Sequence, residues 1–265
     1  MLGKRIITAV VGIAIAIYVI DYGQWLFSAA VSVLALLAWR EYYSMLKNNK
    51  IACLYWPGTV AVLLLQLSAW LGNTHEIIMI VYFFIFTVLV KVIIDYPKFS
   101  IADAAFTTLG FIYVGLSFSY IIAIRFVDFA ALSGTYFLWM ALIGTWASDT
   151  FAYFVGSRFG KNKLCPALSP GKTREGALGG LIGCIISVAA FAFFVNFDIV
   201  HSLFIGTLIG IVAPVGDLAE SALKRFSGVK DSGKILPGHG GVLDRFDSIM
   251  FSAPVVYYYI TNILT

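Results

Sequence analysis

The chain has 265 residues, of which 60% are apolar, 16% aromatic and only 12% charged, and its mean hydropathy is +0.91. Soluble globular domains carry about a quarter of their residues charged, so this composition excludes one and places the chain in a bilayer. Cys53, Cys165 and Cys184 lie far apart with no C-x-x-C spacing, which excludes a disulfide framework and a zinc site and leaves them as packing residues.

A helix needs roughly 17 to 25 apolar residues to cross a hydrocarbon core of about 30 Å. In chain order the runs that qualify are Arg5–Ile20, Trp25–Trp39, Ala52–Leu71, Ile77–Ile94, Ala104–Ile124, Leu132–Gly156, Gly176–Val195, Val200–Leu223 and Ile249–Leu264. The first follows Lys4 and has the look of a signal peptide, but no small-residue cleavage site precedes the next run, so it reads as an uncleaved span. The sequence therefore predicts an all-α polytopic integral membrane protein of about nine transmembrane helices, one domain over residues 1–265. Within it, residues 1–130 hold spans without an assigned role, and 131–265 hold the spans and loops that carry chemistry.

Charge gives the orientation. With the amino terminus in the cytoplasm, nine spans place 17 of the 18 basic residues on the cytoplasmic side and leave Arg125 alone on the other. The net charge of +4 is then mostly topology and not a nucleic-acid footprint. Ten of those basic residues fall in the last two cytoplasmic loops, more than orientation requires.

The first of these loops, Ser157 to Glu175, contains Gly171-Lys172-Thr173, the ending of a phosphate-binding P-loop. That motif needs a glycine five positions before Gly171, where Pro166 stands, so a P-loop is rejected. Two acids occupy positions where acids are costly: Asp149 near the end of span six and Asp217 inside span eight. On a helix Asp217, Ser221, Lys224 and Arg225 share one face, which suits either a structural ion pair or a site. After Gly228 come Lys230, Asp231, Gly233, Pro237, Gly238, His239, Gly240 and Gly241, a stretch whose bare backbone can approach an anion closely. Asp244 and Asp247 follow, three apart at the start of span nine. Acids able to hold Mg²⁺ through oxygen, interleaved with cations able to neutralise phosphates, form the inventory of a nucleotide-polyphosphate site.

The spacing S-x-L-K-R-x₄-K-D-x-G-x₂-L-P-x-H-G-G-V-x-D-R-F-D, borne by Ser221 through Asp247, resembles the signature of the phosphatidate cytidylyltransferase family. Upstream, Asp149, Ala152-Tyr153, Gly156, Gly160-Lys161, Ser169-Pro170, Lys172-Thr173 and Glu175-Gly176 are similar to the same family's pattern. The resemblance implies an enzyme that joins CTP to phosphatidic acid with Mg²⁺, giving CDP-diacylglycerol and pyrophosphate in phospholipid biosynthesis. It implies catalytic roles for Asp217, Lys224, Arg225, Asp244, Arg245 and Asp247, with Asp217, Asp244 and Asp247 as metal ligands. It implies substrate contacts from Asp149, Ser169, Lys172, Thr173, Arg174, Glu175, Ser221, Lys230, Asp231, His239, Gly240 and Gly241. The implied location is the inner cell membrane, multi-pass, with the active-site loops facing the cytoplasm. A second cation and a homodimer stay open at this level.

Three other readings compete. A CTP-dependent polyprenol kinase would release CDP instead of pyrophosphate. An ion-coupled transporter would use Asp149 and Asp217 as ion ligands and predicts inverted repeats, which the sequence does not display. A CDP-alcohol phosphotransferase would need a D-G-x₂-A-R motif, which this chain lacks.

Overall fold

The computed structural model of the chain describes residues 12, 14–129, 132–235 and 240–264. Residues 14–22 (α1) are helical, and most of the remainder of the first expected span lies outside the described residues. Then follow α2 (Gln24–Asn48), α3 (Tyr55–Trp70), α4 (Thr74–Asp95) and α5 (Ile101–Gly110), which continues through a π-helical turn, Phe111–Leu116, into α6 (Ser117–Phe126). A short hairpin, β1 (Asp128–Phe129) and β2 (Leu132–Ser133), leads to α7 (Gly134–Phe159). A second hairpin, β3 (Lys163–Cys165) and β4 (Ser169–Thr173), leads to α8 (Arg174–Phe194) and α9 (Ile199–Phe226). The chain closes with α10 (Leu243–Tyr259) and a π-helical turn, Ile260–Leu264.

Within the described residues each apolar run read from the sequence is mainly helical, and the protein is an all-α membrane protein. Among the described residues four helices are long and apolar enough to cross a bilayer: His75–Asp95, Ile101–Phe126, Arg174–Phe194 and Ile199–Phe226. The 16 residues of α3 fall just short of the roughly 17 to 25 that a crossing needs. Large apolar side chains such as Ile78, Phe83, Ile93, Phe193 and Phe194 stand exposed on these helices, an arrangement that water penalises and lipid does not.

Packing sorts the residues into two compact units: Met1–Ala123 with Phe226–Arg245, and Ile124–Arg225 with Phe246–Thr265. The core of the first unit is built on α2. Trp39 and Tyr42 are fully buried, and Gly58 and Gly110 make room for their rings, since a Cβ at either position would collide with them. Both polar tips are satisfied: Trp39 Nε1 donates to the Tyr55 carbonyl at 3.1 Å and Tyr42 Oη to that of Phe106 at 2.8 Å. At the π-helical turn, where the backbone ladder is loosened, Gln66 Nε2 donates to the Gly115 carbonyl at 2.9 Å. A capping box starts α5: the Ser100 hydroxyl accepts from Asp103 N–H at 3.2 Å, and the Asp103 carboxylate accepts from Ser100 N–H at 2.7 Å.

The second unit rests on the close pairing of α7 and α8. Small residues set that distance, because a Cβ on Gly180 would lie 2.7 Å from the Ser148 carbonyl and one on Gly179 2.6 Å from Val155 Cβ. Cys184 is buried and its thiol donates to the Gly206 carbonyl at 3.1 Å, the packing role its isolation in sequence suggested.

Candidate active site

Hairpin β3–β4 is held in place by polar contacts from both sides. Lys163 pairs with Thr173 and Cys165 with Ser169. The Thr173 hydroxyl caps α8 by accepting from Gly176 N–H at 3.1 Å. Glu175, in the first turn of α8, accepts from the backbone N–H groups of Lys161 at 3.1 Å and Asn162 at 3.2 Å and from the Asn162 side-chain amide at 2.7 Å. Its carboxylate therefore clamps the turn that follows α7. Arg225 Nε, from the end of α9, donates to the Leu168 carbonyl at 3.3 Å. Lys172 reaches α9 as well, with Nζ 2.5 Å from the Asp217 carboxylate and 3.4 Å from the Pro214 carbonyl.

Three carboxylates converge beside that lysine. Pro214 interrupts the hydrogen-bond ladder of α9. Gly216 then lets α10 pass close, since a Cβ there would strike the Asp247 carbonyl oxygen and lie 3.1 Å from the Phe251 ring. The result is that carboxylate oxygens of Asp217, Glu220 and Asp247 lie within 4.8 Å of one another. Glu220 is fully buried and ion-paired with Lys224 one turn onward, while Asp247 also accepts from Ser248 N–H at 2.7 Å.

Carboxylates this close repel by about 3.5 kcal/mol per pair at an effective dielectric of about 20, before solvent screening. Lys172 and Lys224 offset two of the three charges. What is left is a net negative group of hard oxygen donors, the donor chemistry that fits a divalent cation such as Mg²⁺.

The glycine-rich segment before α10 belongs to the first unit, and the amides of Ser232, Gly241, Val242 and Leu243 donate to acidic side chains. Asp244 Oδ2 accepts from the N–H groups of Ser232 and Gly241, each at 2.8 Å, and from the Ser232 hydroxyl at 2.9 Å. The N–H groups of Val242 and Leu243 donate to the two carboxylate oxygens of Glu41, in α2, at 2.9 and 3.0 Å. A sequence reading makes this bare backbone an anion cradle. In the fold the amides at 241–243 donate to acidic side chains, and Gly233 and Gly241 are explained by proximity. A Cβ on Gly241 would lie 2.5 Å from Glu41 Oε2, and one on Gly233 2.8 Å from Glu41 Cδ. Gly240 adopts a φ of +85°, a left-handed backbone that favours glycine.

The expected residues are thus distributed as follows. Asp217 and Asp247 come together, joined by Glu220; Asp244 is not in that group and anchors the glycine segment. Ser221 is buried on α9, Ser169 half-buried on β4, and Asp149 exposed on α7. Arg174, Arg225, Lys230, Asp231 and Arg245 are exposed, and His239 lies outside the described residues. Two acids were missed by sequence reasoning. Glu220 was within reach, since it stands three residues after Asp217 and four before Lys224, both helical spacings. Glu41 carried no such signal, because its partners lie about 200 positions away.

The sequence pattern of the Cytidylyltransferase family matches residues 3–263. A phosphatidate cytidylyltransferase of Staphylococcus haemolyticus is 38% identical over 264 residues, covering 95% of this chain and 96% of the relative. One of Bacillus subtilis is 34% identical with 96% of each chain covered, and one of Synechocystis is 35% identical over 98% of this chain and 97% of its own.

Proposed function

The chain belongs to the cytidylyltransferase family, and from that membership we propose that it transfers the cytidylyl group of CTP to phosphatidic acid within a lipid bilayer. A phosphate oxygen of phosphatidic acid attacks the α-phosphorus of CTP and forms a new P–O bond. The bond from that phosphorus to the bridging oxygen of the β-phosphate breaks, and pyrophosphate leaves with the electron pair. Phosphatidic acid needs no strong base, because a phosphomonoester with a second pKa of about 6 is already largely dianionic near neutral pH.

The observation that carries the reading is the cluster of Asp217, Glu220 and Asp247 flanked by Lys172 and Lys224. Those three acids are the residues that would hold Mg²⁺, whose chemistry when bound is to neutralise charge on the phosphate oxygens. Lys172 and Lys224, together with Arg174, Arg225, Lys230 and Arg245, supply donors for phosphate oxygens, with Arg245 offering the planar paired donors that Lys cannot reproduce. Asp244 is assigned to holding the glycine segment, since its Oδ2 already accepts three hydrogen bonds. The topology proposed is nine spans with a cytoplasmic amino terminus, which brings the soluble substrate and the lipid to one membrane face. Purified protein incubated with CTP, phosphatidic acid and Mg²⁺ tests this directly: CDP-diacylglycerol and pyrophosphate are expected. Release of CDP with a phosphorylated lipid would replace the reading with a kinase.

A further inference from the structure

Glu41 is a carboxylate with 4% of its surface exposed, near the end of α2, in the half of the chain where the sequence offers no chemistry. Among the described residues it forms no ion pair. It is held by neutral donors alone: Val242 N–H at 2.9 Å, Leu243 N–H at 3.0 Å and the Ser232 hydroxyl at 3.1 Å. A buried charge without a counter-ion persists only where donors are arranged around it, so this is a built arrangement. The donors also include the first turn of α10, whose open amides and positive dipole end favour an anion there.

Other described residues of the segment are held as well. Ser232, itself 7% exposed, has its hydroxyl between two carboxylates, 3.1 Å from Glu41 Oε2 and 2.9 Å from Asp244 Oδ2. Its one proton is shared between them, which ties Glu41 to Asp244. At the other end, Asn49 Nδ2 donates to the Phe226 carbonyl at 2.7 Å, and the Phe106 and Phe226 rings stack with centroids 5.0 Å apart. The segment between α9 and α10 is therefore fastened to amino-terminal helices at its start and at its end. Arg245 follows the anchored amides directly, with its own N–H donating to the Val242 carbonyl at 3.0 Å.

We propose that Glu41 is a positioning residue for the nucleotide: by gripping the amides of Val242 and Leu243 and the hydroxyl of Ser232, it sets the direction in which the segment presents Arg245 to the phosphates of CTP. This rests on the reading above that Arg245 contacts those phosphates. It gives the amino-terminal helices a part in the reaction that no motif in them announces.

Glutamine cannot replace this glutamate. Whichever way its amide is turned, an NH₂ group faces a backbone N–H, of Val242 in one orientation and of Leu243 in the other. The test is steady-state kinetics of Glu41→Gln in detergent, with CTP and phosphatidic acid varied separately. The expected result is a CTP KM raised about 10- to 100-fold with the KM for phosphatidic acid within about twofold of the parent. A merely structural carboxylate would lower the amount of active enzyme, hence the apparent kcat, and leave both KM values alone. That outcome in a folded variant overturns the proposal.

If Glu41→Gln fails to insert, Ser232→Ala decides, because it keeps both backbone bonds to Glu41 and removes only the shared hydroxyl. Its CTP KM is expected to rise about fivefold or more, and an unchanged value overturns the proposal. Arg245→Lys, measured alongside, separates the two failures. If it raises the CTP KM while the other two variants do not, the Glu41 role falls and the phosphate role of Arg245 stands. If none of the three moves it, both fall.

Discussion

Replacing Glu220 with Gln separates a cation site from a structural ion pair, because the two readings predict opposite signs for stability. As a structural pair, Glu220 and Lys224 would lose about 3 to 5 kcal/mol when one partner is neutralised, which lowers the unfolding midpoint on the order of 10 °C. As one of three acids with oxygens within 4.8 Å, Glu220 also repels two neighbours, Asp217 and Asp247. At about 3.5 kcal/mol for each repulsion, relief of both comes to about 7 kcal/mol, against the roughly 3 to 5 kcal/mol lost with the ion pair. The variant is therefore expected to be as stable as the parent, or more so, when Mg²⁺ is chelated.

Under Mg²⁺ the sign reverses. Removing one carboxylate from the set that would hold the cation is expected to raise the Mg²⁺ concentration for half-maximal activity about 100-fold, or about 2.7 kcal/mol. Thermal unfolding in detergent with and without chelator, followed by activity against Mg²⁺ concentration, measures both quantities. A variant that melts about 10 °C lower in chelator and keeps the parent's Mg²⁺ dependence would show that Glu220 serves only to pair Lys224.

Three further outcomes are expected. Asp244→Asn keeps an acceptor for the Ser232 and Gly241 amides but loses its charge, so it should raise the CTP KM while leaving the Mg²⁺ half-saturation within about twofold; a large Mg²⁺ shift would return Asp244 to the metal ligands. Gly241→Ala places a methyl 2.5 Å from Glu41 Oε2 and should cut turnover about 100-fold or more, whereas Gly171→Ala, with no heavy atom within 4 Å, should be nearly silent; matching kinetics for the two would contradict the packing described. In a variant without native cysteines, Asp231→Cys should react with an impermeant thiol reagent in inverted vesicles and not in intact cells, and the opposite pattern would reject a cytoplasmic amino terminus with nine spans.

Much of this molecule was legible in the sequence, because its strongest signals are local. Apolar runs long enough for a bilayer become helices wherever they occur, and the nine runs all did so in the described residues. The signature from Ser221 to Asp247 marked the cations of α9 and the acids of α10, and the helical spacing from Asp217 to Lys224 brackets Glu220 as well. What was not legible depends on contacts across the chain. Nothing in the stretch around Glu41 distinguishes it from an acid at a helix end, since its partners are backbone amides, which have no sequence identity. Two of the glycines depend on the same kind of contact. Gly233 and Gly241 read as an opening for an anion, and the acid that fills the opening comes from α2.

The charge arrangement of the acidic group bears on how a cation site there would persist between turnovers. Three carboxylates in a partly buried place would push one another apart or take up protons, and either result would spoil a cation site. Lys172 and Lys224, ion-paired to Asp217 and Glu220, hold the oxygens together while leaving the group net negative. Their side chains differ in exposure, 23% for Lys172 and 14% for Lys224. Lys172 also comes from the hairpin and not from α9 itself, so it can swing away from Asp217 without any change in the helix. A cation and a polyphosphate bound together would give Lys172 a new anionic partner in place of the old one. Such an exchange would conserve the number of close opposite charges, whereas a cation alone would leave the displaced ammonium facing it.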